Sequence, residues 1–230
     1  MTKITKVCVL GERVSGTCFV QSLITSNTNL KSVSPYGHKH FFQDVDKIRK
    51  ADTSDTLFVF ISRDIMEWLQ SFKKNTFHAD KPIRNSKDME TFLRMEWKCV
   101  FDSTSGTPET SNQYGQEMMC ERDPSDGERF ENVVQMRNSK MRHFLGIQDI
   151  ADNFIHVRYE DVRDDPHKFI EETCAQFSIS SQKTFHNIDT VRGKGSVPYT
   201  RSTYPEMGPE NVDFVVLNID FDIESRLGYF

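Results

Sequence analysis

The sequence predicts an α/β protein, a three-layer sandwich with a mainly parallel central sheet and a P-loop-like phosphate loop. Three kinds of observation predict it: short apolar runs that read as buried strands, glycine-bearing or polar turns at their ends, and helical spacing just beyond those turns. Residues 6–10 (KVCVL) form the first run, and apolar residues recur at helical spacing from 17 to 27, with Gly11 and Gly16 in the turn between. Residues 57–61 (LFVFI) are apolar throughout, as in a strand covered on both faces, and Ser62, Arg63 and Asp64 end the run. Asp64 is placed to cap a helix over 65–74 whose Trp68, Leu69 and Phe72 share one face. Residues 154–159 (FIHVRY) give a third strand, and Asp165 followed by Pro166 opens another helix. Helical stretches over 88–101 and 128–144 flank a polar segment, 102–127, rich in Ser, Thr, Gly and Glu. A connection of that length suits either a lid over a site or disorder.

A chain of 230 residues can build one sizeable core, so a single domain over 1–230 is expected, with 102–127 as a lid or acceptor-binding excursion. No apolar run approaches the roughly 20 residues of a membrane span, and 27% of residues are charged, so no membrane span is expected. The opening MTKITKVCVLGE has neither the apolar stretch nor the small-residue cleavage site of a secretion signal, which predicts a cytoplasmic protein. Five cysteines without a CxxC pair fit a reducing interior and point to neither a disulfide framework nor a zinc site. A formal net charge of -5 opposes bulk attraction to nucleic acid or an anionic membrane, so any anion site must be local.

Gly11, Glu12, Arg13, Val14, Ser15, Gly16 and Thr17 have the GxxxxG spacing of a phosphate loop, in which backbone amides and the following helix N-terminus face an anion. In a kinase or NTPase the next position is a lysine that reaches the outer phosphates, followed by a hydroxyl residue that holds magnesium. Here Thr17 stands in the lysine position and Cys18 follows. Such a loop suits a donor whose reacting group hangs on a single 5′-phosphate. Taken alone, it is equally a strand-turn-helix junction whose glycines serve only the turn.

Residues 13–17 (RVSGT) resemble the 5′-phosphosulfate loop, often KSGT or RSGT, of the sulfotransferases that use 3′-phosphoadenosine 5′-phosphosulfate. Val14 departs from that pattern, standing where the family has a basic residue, so Arg13 would supply the charge from one position upstream. The resemblance extends to SRDIMEWLQS, where Arg63 and Ser71 match the family's 3′-phosphate element, a guanidinium fork with a hydroxyl beside it. Tyr159 is placed like a family tyrosine near the adenine, and Arg192, Gly193 and Lys194 like the basic loop that closes over the nucleotide. Lys39 and His40 match a lysine beside a catalytic histidine, and 132–140 with the final ESRLGY carries the likeness across most of the chain.

The resemblance implies transfer of a sulfuryl group to the hydroxyl of a glycan or small-molecule alcohol, with 3′,5′-adenosine bisphosphate as product and no metal. His40 would be the base, since an imidazole with an ordinary pKa of roughly 6.5 takes a proton at neutral pH. Lys39 and Arg13 would meet the charge on the leaving oxygen, and Cys18 would close the row of donor-binding residues that starts at Gly11. The sequence leaves His38 and His78 as other bases, and Phe41, Trp68 and Phe72 either as acceptor lining or as core. It also leaves open a P-loop kinase, which must explain the missing lysine, and a nucleotide-binding protein without catalysis.

Overall fold

The computed structural model describes residues 2–190 and 197–230. The chain runs β1 (Lys6–Leu10), α1 (Thr17–Asn27), β2 (Lys31–Ser32), α2 (Val45–Lys50), β3 (Thr56–Ser62), α3 (Ile65–Lys74), α4 (Lys81–Arg84) and α5 (Met89–Arg94). It continues through α6 (Val133–Gly146), β4 (Asn153–Arg158), α7 (Tyr159–Asp164), α8 (Pro166–Phe177), α9 (Pro209–Asn218) and α10 (Phe221–Arg226). Packing divides it into two compact units: a sheet unit, Met1–Asp64 with His143–Tyr204, and a helical unit, Ile65–Arg142 with Pro205–Phe230.

In the sheet unit the described residues form a four-stranded, all-parallel sheet in the order β2-β1-β3-β4. The α/β class is as the sequence predicts. All seven residues of β3 are buried, because both faces of the sheet are covered. One face carries Val7, Val9, Leu57, Val59 and Ile61 against Val20, Leu23 and Ile24 of α1 and Phe169 and Ile170 of α8. Burying each such side chain stabilises the fold by about 1.5–3 kcal/mol. On the other face Tyr36 stacks on Phe58 at 5.7 Å, and Phe144 and His156 lie 5.3 and 5.0 Å from Phe60. Asp165 caps α8 by accepting from the Lys168 amide at 3.0 Å, with Pro166 as the first helical residue. The two residues of β2 are too short a run to carry a strand signal in the sequence.

The helical unit corrects two sequence expectations. The helix expected over 88–101 ends at Arg94, and beyond it Trp97 and Cys99 are buried while Glu96 is exposed and Lys98 half-buried, the period of two of an extended segment. That segment is fixed by the Trp97 amide, which donates to the Phe130 carbonyl at 2.8 Å, and by a bridge between Ala79 and Cys99. The helix expected from residue 128 starts at Val133, because Asn132 Oδ1 accepts from the amides of Val134 and Gln135 at 2.9 and 3.0 Å. Trp68, Phe72, Phe92 and Trp97 then pack ring against ring, which makes Trp68 and Phe72 core residues, 1% and 0% exposed.

The polar segment 102–127 folds as turns tied by side chains. Asp102 accepts from the Thr104 amide and pairs with Arg84 at 2.5 Å. Glu117 is gripped by Arg129 and Arg122, whose hydrogen bonds bring its carboxyl down to about 2. On α6, Arg137 pairs with Glu224 and Lys140 with Glu121, all four buried. Among the described residues no helix is long and apolar enough to cross a membrane.

Candidate functional site

The strand order places β2 on one side of β1 and β3 on the other, so the connections leaving β1 and β3 diverge. In parallel sheets such a divergence leaves a crevice beyond the carboxyl ends of those strands, where ligands bind. The turns singled out in the sequence, 11–17 after β1 and 62–64 after β3, stand there, and the His38 to Phe41 turn follows β2.

The loop after β1 is built from uncommon backbone. Gly11 and Gly16 have φ of 153° and 92°, and Val14, a β-branched residue, sits at 57° in the left-handed region. Both glycines are sterically required. A Cβ on Gly11 would lie 2.5 Å from the Ile61 carbonyl oxygen, and one on Gly16 would lie 2.5 Å from Cδ2 of Tyr159. Gly16 precedes α1 without a side-chain cap, and the first turn of α1 holds no acidic residue. The first amides of a helix have no intrahelical acceptor and carry its positive dipole end, so they favour an anion.

The Lys39-His40 pair is docked on this loop through one glycine. The Gly11 amide donates to the Lys39 carbonyl at 3.1 Å, and His40 Nδ1 donates to the Gly11 carbonyl at 2.6 Å. A carbonyl only accepts, so Nδ1 carries the proton and neutral His40 has its lone pair on Nε2. Burial holds its pKa down at about 3, not the ordinary value of roughly 6.5 expected from the sequence, so His40 is neutral at pH 7 but a weaker proton acceptor than a free imidazole. Lys39 Nζ donates to Cys18 Sγ at 3.0 Å, which brings an ammonium to the first turn of α1. His38 is exposed, with its ring 5.2 Å from that of His40.

Arg13 lies differently from the expectation that it faces the ligand in place of a basic residue at 14. It is 2% exposed, and both its amide and Nε donate to Oε1 of buried Glu12, at 2.7 and 2.6 Å. Being adjacent in sequence, the two side chains neutralise each other inside the loop, with the Phe41 ring 5.9 Å from the guanidinium. Lys39, which reaches Cys18, is a cation that the fold brings to this loop.

On the β3 side, Arg63 donates through Nη1 to the Val14 carbonyl at 3.1 Å, joining the two turns. Its guanidinium lies 4.8 Å from the ring of Tyr159, which is buried and forms the wall against Gly16. Arg163, four residues on in α7, reaches the same ring at 5.6 Å. Sequence reasoning missed Arg163, although its i,i+4 spacing from Tyr159 in RYEDVR was the available signal. Ser62 bonds His156 Nε2 at 2.8 Å, and burial keeps the His156 pKa at about 4.

Ser71 is buried on α3 and belongs to the helical unit, as does His78, which has a φ of 71°. Arg192, Gly193 and Lys194 lie outside the described residues. Among the described residues, no three His, Cys, Asp or Glu side chains form a group able to hold a metal ion. No family model matches the chain, and no curated protein matches its sequence significantly.

Proposed function

We propose that the protein transfers a sulfuryl group from 3′-phosphoadenosine 5′-phosphosulfate to an acceptor hydroxyl of a glycan or small alcohol. The observation that carries this is the docking of Lys39 and His40 on the two sides of Gly11, which joins an amide-rich, uncapped loop to a cation and a base 28 and 29 residues away. The loop amides and the α1 N-terminus would hold the 5′-phosphosulfate. Lys39 would meet the negative charge that grows on the oxygen between sulfur and phosphate as that bond breaks. The acceptor hydroxyl would give its proton to Nε2 of His40 as its oxygen attacks sulfur in line. Arg63, with Arg163 near it, would meet the second, 3′-phosphate of the nucleotide.

A P-loop kinase fits less well. Thr17, at the start of α1, gives no ammonium for outer phosphates, and Lys39 is committed to the Cys18 side of the loop.

The test is transfer of labelled sulfuryl from the donor to a panel of glycans, phenols and alcohols. Product is expected for one acceptor class, and His40→Ala should lower turnover by about 10²–10⁴-fold. Because neutral His40 is the active form, its protonation limits the rate only as pH falls toward about 3, so the rate should not drop between pH 8 and 6 on its account. Magnesium-dependent ATP turnover without sulfuryl transfer would overturn the proposal in favour of a kinase.

A further inference from the structure

We propose that Gln43 is a positioning residue, whose side-chain amide clamps the turn that carries Lys39 and His40 and whose backbone is seated on His143. The proposal rests on the sulfuryl-transfer reading above and adds to it the group that holds the base in place. All of its contacts lie within the sheet unit.

The Phe41 amide donates to the His38 carbonyl at 2.9 Å, which makes Lys39 and His40 the two central residues of a four-residue turn. One bond of this kind does not fix a turn, and many turns lack it. Gln43 supplies two more. Its Nε2 donates to the carbonyls of His38 and Phe41, both at 2.8 Å, so one N–H of the amide is spent on each end of the turn. Two carbonyls offer no proton to an amide oxygen, which assigns the nitrogen to this side. Among the described residues Gln43 Oε1 meets no donor, so the nitrogen half of the amide provides the grip. Gln43 is 5% exposed, and in that low-dielectric setting the two bonds are stronger than in water.

Gln43 is itself held. Its backbone amide donates to Nε2 of His143 at 2.7 Å, and because an amide N–H only donates, that nitrogen presents a lone pair. The His143 ring stands edge-on to Phe42 at 5.2 Å and to Phe144 at 5.8 Å, and Phe144 packs on Phe60 of β3. Contacts thus run from the sheet through Phe144 and His143 to Gln43, and from Gln43 to the turn. The turn is gripped from two sides. Gly11 binds its centre, through the Lys39 carbonyl and His40 Nδ1, and Gln43 binds its ends. A general base works only within hydrogen-bond reach of the proton it takes, and a displacement of about 1 Å can cost about 10²-fold in rate. Gln43 acts on the reaction through His40, by fixing where its Nε2 stands.

The experiment compares wild type with Gln43→Met, which keeps the length of the side chain and removes both N–H groups, and with His143→Phe, which keeps the ring and removes the acceptor. Three quantities are read: sulfuryl turnover, affinity for 3′,5′-adenosine bisphosphate by calorimetry, and the proton NMR signal of His40 Nδ1–H, assigned with His40→Ala. Gln43→Met should lower turnover by about 10²-fold. It should leave bisphosphate affinity within about two-fold, since the donor-holding loop is untouched, and should lose the His40 signal as that proton exchanges with solvent. His143→Phe should lower turnover by about five- to ten-fold, the worth of one hydrogen bond. Turnover of Gln43→Met within about three-fold of wild type, or a His40 signal unchanged in it, would overturn the clamp. Equal losses of turnover and of bisphosphate affinity would also overturn it, by making Gln43 a merely structural residue. A wild type that transfers no sulfuryl group would overturn the donor reading alone, and the His40 signal in Gln43→Met would still decide the clamp.

Discussion

Both units bury opposite charges, but they do so for different ends. In the helical unit, Arg137 with Glu224 and Lys140 with Glu121 join positions 87 and 19 residues apart, and Glu121 also accepts from Trp97 Nε1 and Cys99 Sγ at 3.4 Å. These pairs tie distant chain into an aromatic core; Arg137 lies 5.7 Å from the Trp68 ring. In the sheet unit, Glu12 and Arg13 are neighbours in one loop, where they cancel each other beside backbone that no ordinary turn requires. Buried charge by itself therefore marks no site. The mark that separates the two regions is the pair of glycines fixed by close walls, Gly11 and Gly16; left-handed backbone and an uncapped helix start occur in the helical unit as well, at His78 and α9.

The largest effect that would sharpen this contrast is expected in the helical unit. Arg137→Met leaves Glu224 buried without its ion-pair partner and should cost about 3–5 kcal/mol in chemical unfolding. The double variant Arg137→Met with Glu224→Leu should recover most of that loss. Additive losses from the two single changes would show that the pair is not a coupled unit.

Acid should strike the sheet unit next. His40 and His156 have pKa values of about 3 and 4 in the fold, against roughly 6.5 when unfolded, so the unfolded chain binds more protons between those limits. Their contribution is complete above about pH 6.5 and is lost as pH falls toward 4, by up to about 1.4 kcal/mol per pH unit for each histidine. Unfolding measured from pH 8 to 5 checks this, and His156→Asn should flatten the slope. A slope unaffected by that change would remove His156 from the account.

Within the loop, Gly16→Ala forces a Cβ toward Tyr159 and strains a left-handed residue, so a loss of about 2 kcal/mol in stability is expected. It should also weaken binding of adenosine bisphosphate at least about ten-fold, which unfolding together with calorimetry would read. The smallest effect is expected at Val14, where Val14→Gly relieves left-handed strain and should raise stability by about 1 kcal/mol or less. Destabilisation on that change would mean that the valine packs more usefully than its backbone costs.

The sequence made β1, α1, β3, α3 and the start of α8 legible because each couples an apolar run to a chemical stop: Gly11, Asp64 or Asp165 with Pro166. It was less legible where tertiary contacts decide. The segment after Arg94 has apolar spacing compatible with a helix, yet Trp97 is drawn out by Phe130, and β2 exists only because β1 offers an edge. The site was legible as motifs but not as geometry. Nothing in RVSGT says that Arg13 turns to Glu12, and nothing in YGHKHF says that Gly11 receives both Lys39 and His40. Gln43 carried no motif at all, being a buried residue whose partner His143 lies 100 positions away.

The most direct test of the central claim is calorimetric titration of the wild-type protein with 3′,5′-adenosine bisphosphate in the absence of metal, beside the same titration of Gly16→Ala. Saturable one-to-one binding by the wild type, indifferent to magnesium and weakened in Gly16→Ala, is the predicted result. No binding, or binding of equal strength in the folded Gly16→Ala variant, would contradict the claim that the loop after β1 holds the donor.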